Sequence, residues 1–330
     1  MNMLIPVLLF ALGLVLLIKG GDWFVDGATG IAERFHVPEL IIGATVVSIG
    51  TTLPEVMVSA TSALTGHGEI AYGNAIGSII CNTALIAAIT VAVRPGPVDT
   101  KALKTPVCFF FASAAIYCLN AYLVGYFSRW LGILLLAIFV VYLYVTVRQG
   151  FKNPDSLAPE EAEAEEIEEK AAKDSMGKDI LLLIVGAALV AVGADLLVDN
   201  GTLIAQALGV PESVIALTFV ALGTSLPELV TAITSLAKGH GALSLGNVIG
   251  ANIFNLVLVC GASMTLAPFR IPQSSTLFGQ NASLVLDIPL MLFVMAFLTL
   301  PALKTKKLSR YQGIVLLALY AGFCAIQFTM

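Results

Sequence analysis

Two short stretches, Gly50-Thr51-Thr52-Leu53-Pro54-Glu55 and Gly223-Thr224-Ser225-Leu226-Pro227-Glu228, set a carboxylate beside hydroxyls and a proline in otherwise apolar sequence. On a helix, residues three and four apart share a face, which groups Ser48, Thr51, Thr52 and Glu55, and likewise Ala221, Thr224, Ser225 and Glu228. Proline removes a backbone donor and crowds the carbonyl four residues back, so carbonyls near Gly50–Thr51 and Gly223–Thr224 are expected to be released. A second set follows at intervals of four: Asn74, Ser78 and Asn82, matched by Asn247, Ala251 and Asn255. Apart from the two alanines, every one of these side chains offers oxygen. Hard cations such as Na⁺ and Ca²⁺ take oxygen ligands, Ca²⁺ about 6–8 of them at roughly 2.3–2.6 Å.

The elements that must hold these residues are membrane helices. Of 330 residues, 58% are hydrophobic and only 12% charged, about half the charged share usual in soluble domains. A water-soluble globule is excluded. Ten apolar stretches are long enough to cross a bilayer: Leu4–Ile18, Pro38–Leu64, Ala71–Val93, Pro106–Val124, Trp130–Val147, Ile180–Leu197, Pro211–Ala237, Leu243–Leu266, Leu277–Leu300 and Tyr311–Phe328. No Lys, Arg or His falls well inside any of them, so the charge balancing Glu55 and Glu228 at that depth is expected to come from a bound cation or from protons. The first stretch could be mistaken for a signal peptide, but its counterpart Ile180–Leu197 sits mid-chain, which favours a retained helix.

That counterpart exists because the chain is duplicated. Residues 37–86 match 210–259 at a constant offset of 173, with 23 of the 50 positions identical, and the match extends upstream through Gly20/Gly193, Asp22/Asp195 and Asp26/Asp199. A unit of five crossings ends on the opposite side from its start, so the second copy must be inverted, the plan of secondary transporters with substrate near the midplane. The expected organisation is a first repeat over 1–148, an acidic linker over 149–178 and a second repeat over 179–330. With the N-terminus outside, 15 of the 17 Lys and Arg residues fall on the inner side; only Arg129 and Arg270 fall on the outer. By the positive-inside rule both termini lie outside and the linker, with its acidic run Pro154–Ser175, in the cytoplasm.

Other features carry blander expectations. Cys81, Cys108, Cys118, Cys260 and Cys324 show no pairing pattern and read as small core residues. Gly66-His67-Gly68 and Gly239-His240-Gly241 read as tight turns, and Gly73/Gly77 with Gly246/Gly250 as close helix packing. Asp22, Asp26, Asp195 and Asp199 are either solvated caps or entrance charges. Asp287, whose counterpart is Ala114, reads as structural.

With GTTLPE at 50–55, GTSLPE at 223–228, GNAIGSIICN at 73–82 and GNVIGANIFN at 246–255, the sequence resembles the calcium/cation antiporter superfamily, and within it the prokaryotic sodium/calcium exchangers. The resemblance implies an all-α membrane protein of a bacterial or archaeal inner membrane that exchanges Na⁺ for Ca²⁺, with no organic cofactor, no nucleic-acid partner and no enzymatic activity. It implies Ca²⁺ at the carboxylates of Glu55 and Glu228 and the carbonyls of Thr51 and Thr224. It places Na⁺ sites at Ser48, Thr52, Ser78 and Glu55, and at Ala221, Ser225 and Glu228, with Asn82 and Asn255 completing the middle. Two departures stand out: sodium-driven family members usually carry serine where Ala251 stands, and several carry aspartate at one of the positions of Asn82 and Asn255. A Ca²⁺/H⁺ antiporter on the same scaffold is the nearest alternative, and a cation channel a more distant one. An intramembrane enzyme lacks any HExxH, Ser/His dyad or aspartate pair.

Overall fold

The computed structural model describes residues 3–35, 37, 39–152, 175–207, 225–273 and 276–327. Among these residues eight helical segments are long and apolar enough to cross a membrane. They belong to α1 (Leu4–Arg34), α2 (Leu40–Leu64), α3 (Gly68–Val93), α4 (Thr100–Leu123), α5 (Arg129–Lys152), α6 (Met176–Ala207), α8 (Gly241–Leu266) and α9 (Ser283–Thr305). A shorter apolar helix, α7 (Leu226–Ala237), precedes α8, and α10 (Arg310–Gln327) follows α9. The stretch expected as Pro211–Ala237 is described only from Ser225, and all but the end of the acidic linker lies outside the described residues. The apolar windows of α8 and α3 are 94% and 72% buried, against 28% for α1 and 22% for α6. The helices bearing the asparagine sets are thus the enclosed ones.

The chain divides into two compact units, one of Met1–Thr51 and Thr146–Asn247, the other of Thr52–Val145 and Val248–Met330. Each draws on both halves of the sequence.

The first unit is built around α1 and α6, both far longer than their apolar stretches. Lys19-Gly20-Gly21-Asp22 reads as a helix end, yet α1 runs through it to Arg34. The reason is packing: in a bilayer, contact between helices depends on small residues that let backbones approach. A Cβ on Gly20 would sit 2.8 Å from Val190 N and 3.0 Å from Gly186 O, and one on Gly193 would sit 2.8 Å from Leu17 N and 2.9 Å from Gly13 O. Replacing each residue by its repeat equivalent, 173 positions away, converts the first set into the second. Along the pair, Gly20 meets Val190 and Gly27 meets Leu183, so rising numbers in α1 meet falling numbers in α6. Equivalent helices of the two copies run antiparallel. Phe24, Val25 and Ala28 of α1 are buried with Ile42 and Val47 of α2 and Leu243 of α8.

The second unit is closed at its loops by two antiparallel ribbons. β1 (Gly96–Pro97) pairs with β6 (Lys307–Leu308), and β2 (Tyr126–Phe127) with β3 (Phe269–Arg270). Phe127 packs between Tyr117, with ring centroids 5.0 Å apart, and Phe269, at 5.4 Å. The ninth apolar stretch was expected to begin at Leu277. Instead β4 (Thr276–Leu277) and β5 (Gln280–Asn281) form a hairpin, and α9 starts at Ser283. Phe278 and Gly279 both have positive φ, 52° and 76°, the backbone of a two-residue hairpin turn that no helix accommodates.

Gly66 and Gly239 have φ of 85° and 93°, so the two Gly-His-Gly segments are tight turns as expected. A Cβ on Gly246 would strike Leu40, whereas nothing described comes within 4 Å of one on Gly73 or Gly77; the residue equivalent to Leu40, Ser213, lies outside the described residues. Cys81 and Cys260 are buried as expected, but Cys108 is exposed and Cys118 and Cys324 are only partly buried, so these three are not core residues.

Candidate cation site

The predicted face of α2 is realised. Ser48, Thr51, Thr52 and Glu55 are at most 2% exposed, while Ile49, Leu53 and Met57 between them are 38%, 53% and 66% exposed. The helix does not break at Pro54; it continues as α-helix over Ser48–Leu64. Pro54 has no N–H, so the carbonyl of Gly50 cannot take its ladder bond from residue 54. The irregular turn falls earlier, where Gly43–Val47 is π-helical. Hydroxyls compete for the carbonyls there: Thr45 Oγ1 donates to Ile41 O at 2.7 Å.

In the first unit, Ser48 and Thr51 of α2 meet Asn247 of α8. Ser48 Oγ lies 2.7 Å from Gly43 O and 2.9 Å from Asn247 O, and its single proton serves one acceptor at a time. Thr51 Oγ1 donates to Asn247 Oδ1 at 3.2 Å. Gly43 permits the approach, since a Cβ there would lie 2.8 Å from Asn247 N. Within the same unit Glu228 is wholly buried in the first turn of α7, and Ser225 is 1% exposed. Thr231 and Ser235 continue that buried face at helical spacing. Ala221 and Thr224, both predicted to contribute carbonyls, lie outside the described residues.

The second unit holds Thr52, Glu55, Ser78, Asn82, Ala251 and Asn255, all buried and, Ser78 apart, wholly so. Asn74 ties α3 to α2: its Nδ2 donates to the backbone carbonyl of Glu55 at 3.2 Å and to Ser59 Oγ at 2.8 Å. Asn82 and Asn255 each open a π-helical turn, Asn82–Ala87 and Asn255–Val259. Such turns insert one extra residue and recur at functional sites. Neither amide of this pair has a hydrogen-bond partner among the described residues, and both side chains are fully buried. Buried amides in that state are costly unless something polar meets them.

Three polar residues escaped the sequence reading. Asn252 Nδ2 donates to Thr83 Oγ1 at 2.7 Å, with Met295 Sδ 3.1 Å away. The repeat places Ile79 opposite Asn252 and Leu256 opposite Thr83, so a search by symmetry passes over them. Ser59 was hidden likewise, because its equivalent is Ala232. Asp22 and Asp26 are charges at a helix surface: Lys238 Nζ lies 2.7 Å from Asp26 Oδ1 and 3.6 Å from Asp22 Oδ1. Asp287 accepts from Gln327 Nε2 at 3.1 Å.

No group of three or more His, Cys, Asp or Glu side chains gathers among the described residues. Each unit holds one buried glutamate together with buried hydroxyl and amide side chains, the oxygen chemistry that hard cations take.

Comparison with known proteins agrees with this chemistry. The family model described as sodium/calcium exchanger protein matches residues 5–148 and 178–329. An uncharacterized membrane protein of Methanocaldococcus jannaschii, MJ0091, is 36% identical over 316 residues, covering 94% of each chain. The sodium/calcium exchanger MaX1 of Methanosarcina acetivorans is 29% identical over 97% of this chain and 98% of its own. Among solved structures, the sodium-calcium exchanger NCX_Mj soaked with Na⁺ and Sr²⁺ superposes with a TM-score of 0.80 at 33% identity, covering 98% of this chain and 99% of that one. The chain belongs to the sodium/calcium exchanger family, and is a multi-pass membrane antiporter and not an enzyme.

Proposed function

We propose that this chain moves Ca²⁺ against Na⁺ across a bacterial or archaeal inner membrane by alternating access, the two ions competing for oxygens centred on Glu55 and Glu228. One observation carries the reading: two wholly buried glutamates occupy the same repeat position, 55 and 228, each on a helix face lined with buried hydroxyls. Two ionised carboxylates neutralise one Ca²⁺, whereas three Na⁺ leave a net positive charge. Exchange at that ratio is electrogenic, each charge carrying about 2.3 kcal/mol per 100 mV.

In this reading Ca²⁺ is held by Glu55 and Glu228 with the carbonyls of Thr51 and Thr224. Na⁺ takes oxygens of Ser48, Thr52 and Ser78 and of Ala221 and Ser225, and Asn82 and Asn255 supply amide oxygens at the centre. The hydrogen bond from Ser48 toward Gly43 O or Asn247 O is compatible with this role, because a hydroxyl that donates its proton still presents lone pairs to a cation. The antiparallel, symmetry-matched packing of α1 and α6 supports inverted repeats, while ten spans with both termini outside and the acidic linker in the cytoplasm rest on the apolar stretches and the distribution of Lys and Arg. Alternating access then has α1 and α6 move against the remaining helices.

Ca²⁺/H⁺ exchange is the second reading, favoured by Ala251, whose methyl is fully buried where Ser78 in the first copy has a hydroxyl. Proteoliposomes loaded with Na⁺ and diluted into Na⁺-free ⁴⁵Ca²⁺ buffer, at fixed pH with an uncoupler, separate the two. Sodium coupling gives rapid uptake. Uptake that needs a pH gradient and ignores Na⁺ transfers the assignment to protons.

A further inference from the structure

The ribbons β2–β3 and β1–β6 of the second unit lie at opposite ends of α4 and differ in chemistry. Around β2–β3 three aromatic side chains are exposed, Tyr122 at 51%, Tyr126 at 41% and Trp130 at 78%, with two cations, Arg129 and Arg270, beside them. Around β1–β6 basic side chains dominate. The stretch from the end of α3 into α4 brings Arg94, Lys101 and Lys104, and that from the end of α9 into α10 brings Lys304, Lys306, Lys307 and Arg310, all exposed. In sequence these groups lie some two hundred residues apart; pairing of Gly96 with Leu308 and Pro97 with Lys307, and a bond from Val98 N to Lys306 O at 3.0 Å, make them one surface.

That surface is rigid and sits at the ends of membrane spans. Arg94 directly follows α3, Lys101 and Lys104 stand in the first turns of α4, Lys304 in the last turn of α9, and Arg310 opens α10. A Cβ on Gly313 would come within 2.6 Å of Ala88 O, and Gln312 Nε2 donates to Phe297 O at 2.9 Å, so the start of α10 is fixed against α3 and α9. The single carboxylate in these two loops, Asp99, caps α4 by accepting from Lys101 N at 2.8 Å. Seven cations therefore face outward with one acid among them, and Tyr311, 69% exposed, stands beside them.

We propose that this basic ribbon binds the headgroups of anionic phospholipids in the adjoining leaflet. Clusters of four to eight Lys and Arg beside span ends attract anionic lipid, and tyrosine is an anchor for the same interfacial layer. The acidic linker is the other occupant that charge would suit. Lipid is favoured because every cation lies within a few residues of a span end, at headgroup depth.

Native mass spectrometry of the full chain in neutral detergent, titrated with phosphatidylglycerol and separately with phosphatidylcholine, tests this. The expected result is preferential retention of phosphatidylglycerol, weakened at high salt and lowered at least about tenfold in the variant Lys304→Gln/Lys306→Gln/Lys307→Gln/Arg310→Gln. The variant Arg129→Gln/Arg270→Gln, at the aromatic ribbon, should retain wild-type binding. Equal retention of both lipids, or retention unchanged by the four-fold variant, overturns the proposal. So does phosphatidylglycerol binding that appears only once the linker glutamates from Glu160 to Glu169 are changed to Gln, since the ribbon would then belong to the linker.

Discussion

Asn74 Nδ2 hydrogen-bonds the backbone carbonyl of Glu55. The asparagine thus fixes where the α2 backbone presents Glu55. Asn74→Ala should raise the Ca²⁺ KM several-fold with a smaller change in maximal flux, because a lost buried hydrogen bond costs about 1–3 kcal/mol. Ca²⁺ titration of flux in proteoliposomes reads the split; a KM equal to wild type contradicts this role.

The reciprocal contact of Gly20 and Gly193 predicts matched costs. Gly20→Ala and Gly193→Ala each force a methyl against backbone atoms and should destabilise by about 1–3 kcal/mol. Gly322→Ala in α10, where nothing among the described residues lies within 4 Å, should be neutral or slightly stabilising. Thermal unfolding in detergent compares the three. Unequal losses at Gly20 and Gly193 would break the symmetry argument.

Arg34 and Asp179 link the C-terminal end of α1 to the start of α6 at 3.1 Å, with the Asp179 side chain only 7% exposed. Asp179→Ala should cost about 1–3 kcal/mol by removing a charge-assisted hydrogen-bond acceptor of a partly buried guanidinium. The double variant with Arg34→Ala should cost less than the sum of the two single ones. A double-mutant cycle of unfolding midpoints measures that difference, and simple additivity would mean the pair does not interact.

Asn252 and Thr83 break the repeat, and exchanging them for their equivalents probes why. Asn252→Ile alone removes the amide that meets Thr83 and should destabilise by about 1–3 kcal/mol. Adding Thr83→Leu should recover part of that loss by making both sites apolar, as seen by thermal unfolding. No recovery points to a packing conflict in place of a polar one.

Much of this was legible in the sequence because it rests on local periodicity. The face of Ser48, Thr51, Thr52 and Glu55 follows from helical spacing, and the equivalence of positions 55 and 228 from the duplication. What depended on distant segments was not. The π-helical turns at Asn82 and Asn255 carry no residue signature, and the bond from Asn74 to the Glu55 carbonyl needs the relative placement of two helices. The length of α1 was hidden because Gly20-Gly21 reads locally as a stop, whereas Gly20 is there to admit the backbone of α6. Phe278-Gly279 misled in the opposite direction: apolar composition suggested helix where a hairpin turn dictates the backbone.

Glu55 and Glu228 are proposed to hold the transported ion. Sodium-driven ⁴⁵Ca²⁺ uptake should be measured for Glu55→Gln and Glu228→Gln, each first shown by thermal unfolding to be as well folded as wild type. Uptake should fall by at least about a hundredfold in each, since removing one of two charges from a buried Ca²⁺ site costs about 3 kcal/mol or more. Near-normal exchange in either folded variant would contradict that role.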